Sequence, residues 1–151
     1  MRETLRALFN GPNLRSELQL RSQRSEIERT LSLNQDLIPL YFDISIVKRA
    51  EQLPDLNCFS YVFGIQKDSW VIREIDTGWE EADFDSADVV FYIEKGRMKH
   101  VGRVTDRHTV ISKWGRGYHA FEHSLLLVPA IYGTDTYMFR RPPDSPVFLE
   151  E

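Results

Sequence analysis

The distribution of hydrophobic and polar positions divides the chain into a helical first part and a strand-rich second part. Leu14, Leu18, Ile27 and Leu31 recur at spacings that place them on one face of a helix, which predicts an amphipathic helix over residues 14–31. Such a helix serves as a strut or lid on a core, or alternatively as a partner-binding or targeting helix.

A second helix is predicted near the centre of the chain. Cys58, Tyr61, Val62 and Ile65 lie at helical spacing, and Asn57 before them is a residue type that caps helix N-termini. We therefore expect a buried helix that begins at Cys58.

The second half of the chain changes to short β-rich runs separated by turn residues, which predicts an antiparallel meander. Residues 118–128 are predicted as helical or irregular, and residues 38–47, interrupted by Pro39, as an extended segment or short edge strand. The four predicted strands are residues 87–93, 99–105, 109–114 and 136–141.

Composition narrows the class of protein. The chain has 151 residues, 42% of them hydrophobic, which suits one core better than two. We expect an α+β fold, with residues 1–35 as a helical extension and residues 36–151 as the domain proper. With 23 acidic against 19 basic residues, nothing favours a nucleic-acid or membrane partner.

Cys58 is the only cysteine, so an internal disulfide and a zinc site made of several thiolates are both excluded. The N-terminus lacks the apolar core of a signal peptide, and no stretch approaches the roughly 20 apolar residues of a membrane span. We expect a soluble, cytoplasmic protein, and leave open export by a dedicated secretion system.

Two residues carry the candidate chemistry. A cysteine at a helix start lies beside free backbone N–H groups and the positive end of the helix dipole, which favour the thiolate. His100 begins a predicted strand, where Gly102 leaves space for a close approach. A lone cysteine beside aromatic residues is more often a small buried hydrophobe, so this spacing alone identifies no nucleophile.

A family resemblance adds to these patterns. Residues 57–62, Asn-Cys-Phe-Ser-Tyr-Val, resemble the cysteine motif that opens the active-site helix in the NlpC/P60 superfamily of papain-like hydrolases. Residues 88–92, then Gly96, then residues 100–104 are similar to its aspartate-led strand followed by a histidine strand. The resemblance covers roughly residues 55–115 and implies a papain-like core, with an active-site helix packed on an antiparallel sheet.

The resemblance assigns roles to individual residues. It implies that Cys58 is the nucleophile and His100 the general base, and the third catalytic position falls at Ser112. A serine hydroxyl stabilises an imidazolium less than a carboxylate does, so His119 or His123 is the alternative third residue.

Two aromatic residues complete the candidate site. Trp114 and Tyr132 either wall a substrate cleft or complete a small core. His119 and His123 lie four apart, but without a third ligand or the order of a zinc-protease motif we expect no metal site and no cofactor.

The expected reaction is attack of the Cys58 thiolate on an amide carbonyl, with His100 protonating the leaving amine and water resolving the thioester. The substrate would be a peptide, a peptidoglycan fragment or a protein. Glutamine deamidation or acyl transfer by the same dyad, a catalytically weak binding module, and a structural protein with a buried cysteine are the alternatives. Oligomeric state is left open.

Overall fold

The computed structural model describes residues 10–53, 56–63, 79–133 and 135–141, and within the first helix it describes side chains from Glu17 onward. These residues form an α+β fold of helices and one seven-stranded antiparallel sheet. The helices are α1 (Asn10–Leu33), α2 (Ile38–Tyr41) and α3 (Cys58–Phe63), and the strands are β1 (Ser45–Lys48), β2 (Glu80–Glu81), β3 (Val89–Glu94), β4 (Arg97–Val104), β5 (Val110–Lys113), β6 (Ala120–His123) and β7 (Asp135–Arg140).

The sheet has the strand order β1-β6-β5-β4-β3-β7-β2. Strands β3 to β6 form an antiparallel meander in which each strand pairs with the next. The first three are predicted members of the meander, but its fourth strand is β6 and not the predicted strand over residues 136–141. Strand β7 returns to pair with β3, and β1 lies at the far edge beside β6. This arrangement places β4 near the middle of the sheet, with β3 and β5 as its neighbours.

Both faces of the central strands are buried. On one face, here called the α3 face, Cys58, Phe59 and Val62 of α3 pack with Val101 of β4 and Ile111 of β5. Consecutive residues of a strand point to opposite faces, so His100 and Gly102 belong to the other side.

That other side, here called the α1 face, is covered by α1 and by the segment before β7. Ile27 of α1 is fully buried against Trp114 and Phe121. Tyr92 of β3 and Val110 of β5 pack with Val128 and Tyr132 in a second cluster on this face. Two-sided burial explains why β3, Val-Val-Phe-Tyr-Ile-Glu, is a nearly continuous apolar run.

Several predictions from the sequence are confirmed. Helix α3 begins at Cys58, and the Asn57 side chain caps it by accepting a 2.8 Å hydrogen bond from the Ser60 N–H. The four predicted strands correspond to β3, β4, β5 and β7. Of the positions used to predict the helices, Ile65 and the side chain of Leu14 lie outside the described residues.

The prediction of a helical or irregular segment over residues 118–128 is wrong for its first half, which forms β6. Residues 118–123 contain strand-favouring Tyr118 and Phe121 but no β-branched residue, and the alanine and glutamate among them favour strands poorly, so the local signal is mixed. Pairing with β5 on one side and β1 on the other decides the conformation.

Residues 38–47 divide into two elements rather than one extended segment. Pro39 lies in the first turn of α2, where its missing N–H costs no hydrogen bond. Only Ser45–Lys48 forms a strand, and this strand lies at the sheet edge, as the edge-strand prediction requires.

Helix α1 acts as a strut on the core. Its Ile27 is buried among residues of β6 and the chain after β5, and its Arg24 is buried against the segment before β7. Residue 35 therefore does not separate two independently packed units. Among the described residues, none of the helices combines the length and apolarity needed to cross a bilayer.

We expect Gly102→Ala to lower the free energy of unfolding by about 1–3 kcal/mol, because overpacking forces neighbours apart. A Cβ at position 102 would lie 2.3 Å from Cγ1 of Val110. Urea denaturation measures the loss. The double variant Gly102→Ala with Val110→Ala should lose less than the sum of the single changes; strict additivity would contradict this packing.

Candidate functional site

Cys58 is the first residue of α3 and is only 6% exposed. Burial raises the pKa of its thiol to about 11, while the backbone N–H groups of Val101, Phe59 and Cys58 itself act in the opposite direction. The N–H groups at the helix start favour the thiolate, as expected, but loss of solvation has the larger effect and keeps the thiol protonated at pH 7.

His100 lies in β4 and is fully buried. Its ring stacks on Tyr132 with 4.0 Å between centroids and 5° between planes, and Tyr92 lies on another side at 5.5 Å. Neither ring nitrogen has a hydrogen-bond partner among the described residues. Burial, with a smaller effect of His123, lowers the pKa of His100 well below its ordinary value, so the ring is neutral at pH 7.

The predicted dyad is not formed in this conformation. The Val101 N–H faces the Cys58 sulfur, so the thiol lies against the residue next to His100 in β4. Because neighbouring strand residues alternate, the His100 ring points to the α1 face and stacks on Tyr132. The thiol thus lies against the strand neighbour of His100, and no hydrogen bond joins it to the His100 ring.

Ser112 does not support His100, which corrects its assignment as the third catalytic residue. Its Oγ lies 2.7 Å from Nε2 of His123 and accepts a 3.0 Å hydrogen bond from Nε1 of Trp114. Nδ1 of His123 donates to the carbonyl of Ser124 at 2.8 Å, so Nε2 accepts and the Ser112 hydroxyl donates. The Ser112 hydroxyl therefore uses its hydrogen bonds to connect Trp114 with His123.

His119 is also placed away from His100, so the alternative third residue is not supported. Its Nδ1 accepts a 2.7 Å hydrogen bond from the Ala50 N–H, and its Nε2 lies 2.7 Å from Oδ1 of Asp36. The bond to His119 lowers the pKa of Asp36. His119 therefore links the start of β6 to the N-terminal part of the chain. His123, the other alternative, uses its two ring nitrogens to hydrogen-bond Ser112 and the Ser124 carbonyl.

The two aromatic residues take different roles. Trp114 is buried with its ring 4.4 Å from Phe121, so it completes the core and does not line a cleft. Tyr132 lies over His100 and donates a 3.0 Å hydrogen bond from its hydroxyl to the carbonyl of Trp114. Neither matches the expected wall of an open substrate cleft.

Lys113 is a site residue that the sequence did not suggest. It is 1% exposed, its Nζ donates a 2.6 Å hydrogen bond to the Gly115 carbonyl, and its charge acts on Cys58 by lowering the thiol pKa. Its cross-strand partner, Ala120, belongs to the same cluster as Cys58. Period-two spacing from Ile111 places Lys113 on the α3 face, but only the tertiary structure brings it near the thiol.

A cavity of about 580 Å³ lies between α1 and the ends of β3 and β7, where Arg21 and Arg24 face Glu94 and Asp135. The described residues contain no cluster of three or more histidine, cysteine or acidic side chains placed to hold a metal ion.

Comparisons of the chain with protein-family models, with curated proteins and with solved structures find no match.

We expect the protein to lose stability steeply as pH falls below about 6.5, the ordinary pKa of histidine. Burial lowers the pKa of His123 to about 4 and also lowers that of His100. The unfolded chain therefore binds more protons than the folded one, so acid favours unfolding. Protonation of His123 alone lowers the free energy of unfolding by about 2 kcal/mol between about pH 8 and about pH 5.

Urea denaturation across this pH range measures the loss. In His123→Gln the free energy of unfolding should fall less steeply as pH is lowered. Gly102→Ala, which removes no titratable group, should lower stability at every pH and keep the slope. A slope unchanged by His123→Gln would contradict the assignment.

We expect the folded protein to react slowly with iodoacetamide at pH 7, and the rate to rise about tenfold per pH unit up to about pH 10. The reason is that the thiolate is the reactive species and the pKa of Cys58 is raised to about 11. The same chain unfolded in guanidinium is the control, because its one cysteine then titrates near about 8.5. Faster reaction of the folded than of the unfolded chain at pH 7 would contradict the burial.

Proposed function

We propose that this protein is a thiol hydrolase of papain-like, NlpC/P60-like type that cleaves an amide bond in a peptide, a peptidoglycan fragment or a protein. Cys58 is the nucleophile and His100 the general base. One observation carries the proposal: the fully buried His100 ring has no hydrogen-bond partner among the described residues, and it lies one residue along β4 from the N–H that faces the Cys58 sulfur.

An unpartnered buried imidazole needs an explanation. At least about nine in ten buried polar groups in folded proteins make a hydrogen bond, because leaving one unmade costs free energy. His119 and His123 follow this rule at both ring nitrogens. His100 breaks it, as a residue does when its partner is a reacting group.

The protonation states support His100 as a base. Both groups are neutral at pH 7, because burial raises the pKa of the Cys58 thiol and lowers that of the His100 imidazole. His100 would take the thiol proton as the sulfur attacks the carbonyl carbon, and would then give it to the leaving amine. Water would hydrolyse the resulting thioester and regenerate the thiol.

His100 and Cys58 lie on opposite faces of the sheet, so turning the imidazole ring is not enough to join them. The proposal requires residues 100–101 of β4 to exchange faces locally, which brings the His100 ring to the thiol. The backbone N–H groups of Cys58 and Phe59 already face the sulfur and are suited to stabilise the oxyanion of the tetrahedral intermediate. The buried charge of Lys113 adds to this stabilisation when negative charge develops at Cys58.

A catalytically weak binding module is the second candidate, and one observation favours it. The Ser112 hydroxyl is committed to His123, so it does not orient the His100 ring or stabilise its protonated form. Among the described residues, the His100 ring stacks with Tyr132 and contacts Tyr92 but makes no hydrogen bond that would orient it. Glutamine deamidation and acyl transfer use the same dyad and differ only in how the thioester forms or is resolved.

We expect p-nitrophenyl acetate to acylate Cys58 with release of p-nitrophenolate, and His100→Gln to slow this step by about 100-fold or more, as loss of a general base does. Release is followed by absorbance, and peptide mass spectrometry locates the acetyl group. Since the chain has one cysteine, Cys58→Ala gives an unambiguous blank.

His119→Gln is the matched control, because His119 is a buried histidine outside the proposed dyad. Equal acylation rates in the wild-type protein and His100→Gln would overturn the hydrolase and favour the binding module. Adding glycine amide separates hydrolysis from transfer, since only a transferase would pass the acetyl group to the amine.

A further inference from the structure

A buried arginine connects helix α1 to the segment that lies over His100. Arg24 is 4% exposed, and its guanidinium donates to three backbone carbonyls, those of Val128 at 3.2 Å, Pro129 at 3.4 Å and Gly133. One side chain thus holds both ends of residues 128–133, here called the cover segment. A charged donor shared by three carbonyls is a strong local anchor.

A second residue of α1 holds the middle of the cover segment. The Glu28 side chain accepts a 2.7 Å hydrogen bond from the N–H of Ile131. Glu28 lies four residues after Arg24, so both anchors project from the same side of α1. Residues 130–132 between them form one turn of 3₁₀-helix.

The cover segment ends on the candidate site. Its Tyr132 lies parallel to the His100 ring at 4.0 Å, and the Tyr132 hydroxyl is fixed on the Trp114 carbonyl. Since no described polar group orients His100, this stacking sets the plane of the ring. It also blocks the ring from the side of α1.

We propose that Tyr132 and Arg24 are positioning residues for His100: Tyr132 sets the plane of the imidazole and covers it, and Arg24 of α1 holds Tyr132 in place. Helix α1 then controls access to His100 through the cover segment. The inference deepens the proposed function by adding a control on its base, but the contacts that carry it do not require Cys58 to react.

The surroundings allow the cover segment to move. Arg24, Ala130 and Gly133 line the cavity of about 580 Å³ beside α1, so the segment is not packed against solid core on that side. Gly133 adopts a φ of 78°, and a Cβ there would lie 2.8 Å from the Ile93 carbonyl, so only glycine suits this end of the segment. Loss of the Arg24 anchor leaves Glu28 and the Tyr132 contacts to hold it.

Modification of histidines by diethyl pyrocarbonate, read peptide by peptide, tests the proposal. We expect Arg24→Ala and Tyr132→Ala to raise the modification rate of His100 at least tenfold, and Tyr132→Phe to restore most of the protection because it keeps the stacked ring. His119, buried elsewhere, should stay protected in every folded variant.

Arg29→Ala is the matched control, since Arg29 lies on the same helix but is exposed and pairs with Glu26. It should leave His100 protected. If Arg24→Ala fails to fold, which loss of protection at His119 would reveal, Glu28→Gln weakens the second anchor and should still raise the His100 rate. Wild-type protection of His100 in folded Arg24→Ala or Tyr132→Ala would overturn the proposal.

A spectroscopic readout separates positioning from mere packing. In Tyr132→Ala the chemical shift of the His100 ring proton should move and titrate with pH, whereas in Tyr132→Phe it should stay close to the wild-type position. The two proposals can fail separately. If His100 becomes modifiable in Arg24→Ala and Tyr132→Ala but Cys58 acylation does not depend on His100, this inference stands and the proposed function falls. If His100 stays protected in these variants but acylation depends on it, the proposed function stands and this inference falls.

Discussion

The pleat of β4, inside a sheet that is buried on both faces, is the constraint on which the site depends. Neighbouring residues of a strand point to opposite faces, so Val101 packs under α3 beside Cys58 while His100 enters the cluster covered by α1. A strand with one solvated face would leave such a histidine in water. Here both sides are covered, so the imidazole on one face and the thiol on the other are both removed from solvent.

Burial then decides the charge state of the site. A helix start and three N–H groups favour the Cys58 thiolate, yet loss of solvation dominates and raises the thiol pKa to about 11. The same effect keeps His100 neutral. The result is a neutral thiol and a neutral base, which is a different resting state from a preformed ion pair. For the proposed hydrolase reaction, this resting state requires a local shift of β4 and then proton transfer from the thiol to the imidazole.

The buried histidines show how differently one residue type can be used in a single fold. His119 links two parts of the chain through Ala50 and Asp36, and His123 ends a hydrogen-bond chain from Ser112. Both are satisfied structural residues. His100 is held by aromatic rings and by a segment anchored from α1. This contrast, rather than its place in a motif, is the observation from which we propose a catalytic role for His100.

The sequence by itself determined the local elements: Asn57 caps a helix that begins at Cys58, and β3, β4, β5 and β7 follow from short apolar runs between turns. These features depend on contacts between near neighbours, which a sequence displays directly. Three features were not determined by the sequence: the existence of strand β6, the hydrogen bond of Ser112 to His123, and the burial of Lys113 and Arg24. Only the tertiary structure decided those, because strand pairing, the face a side chain takes and the loss of solvent all depend on residues far away in the chain.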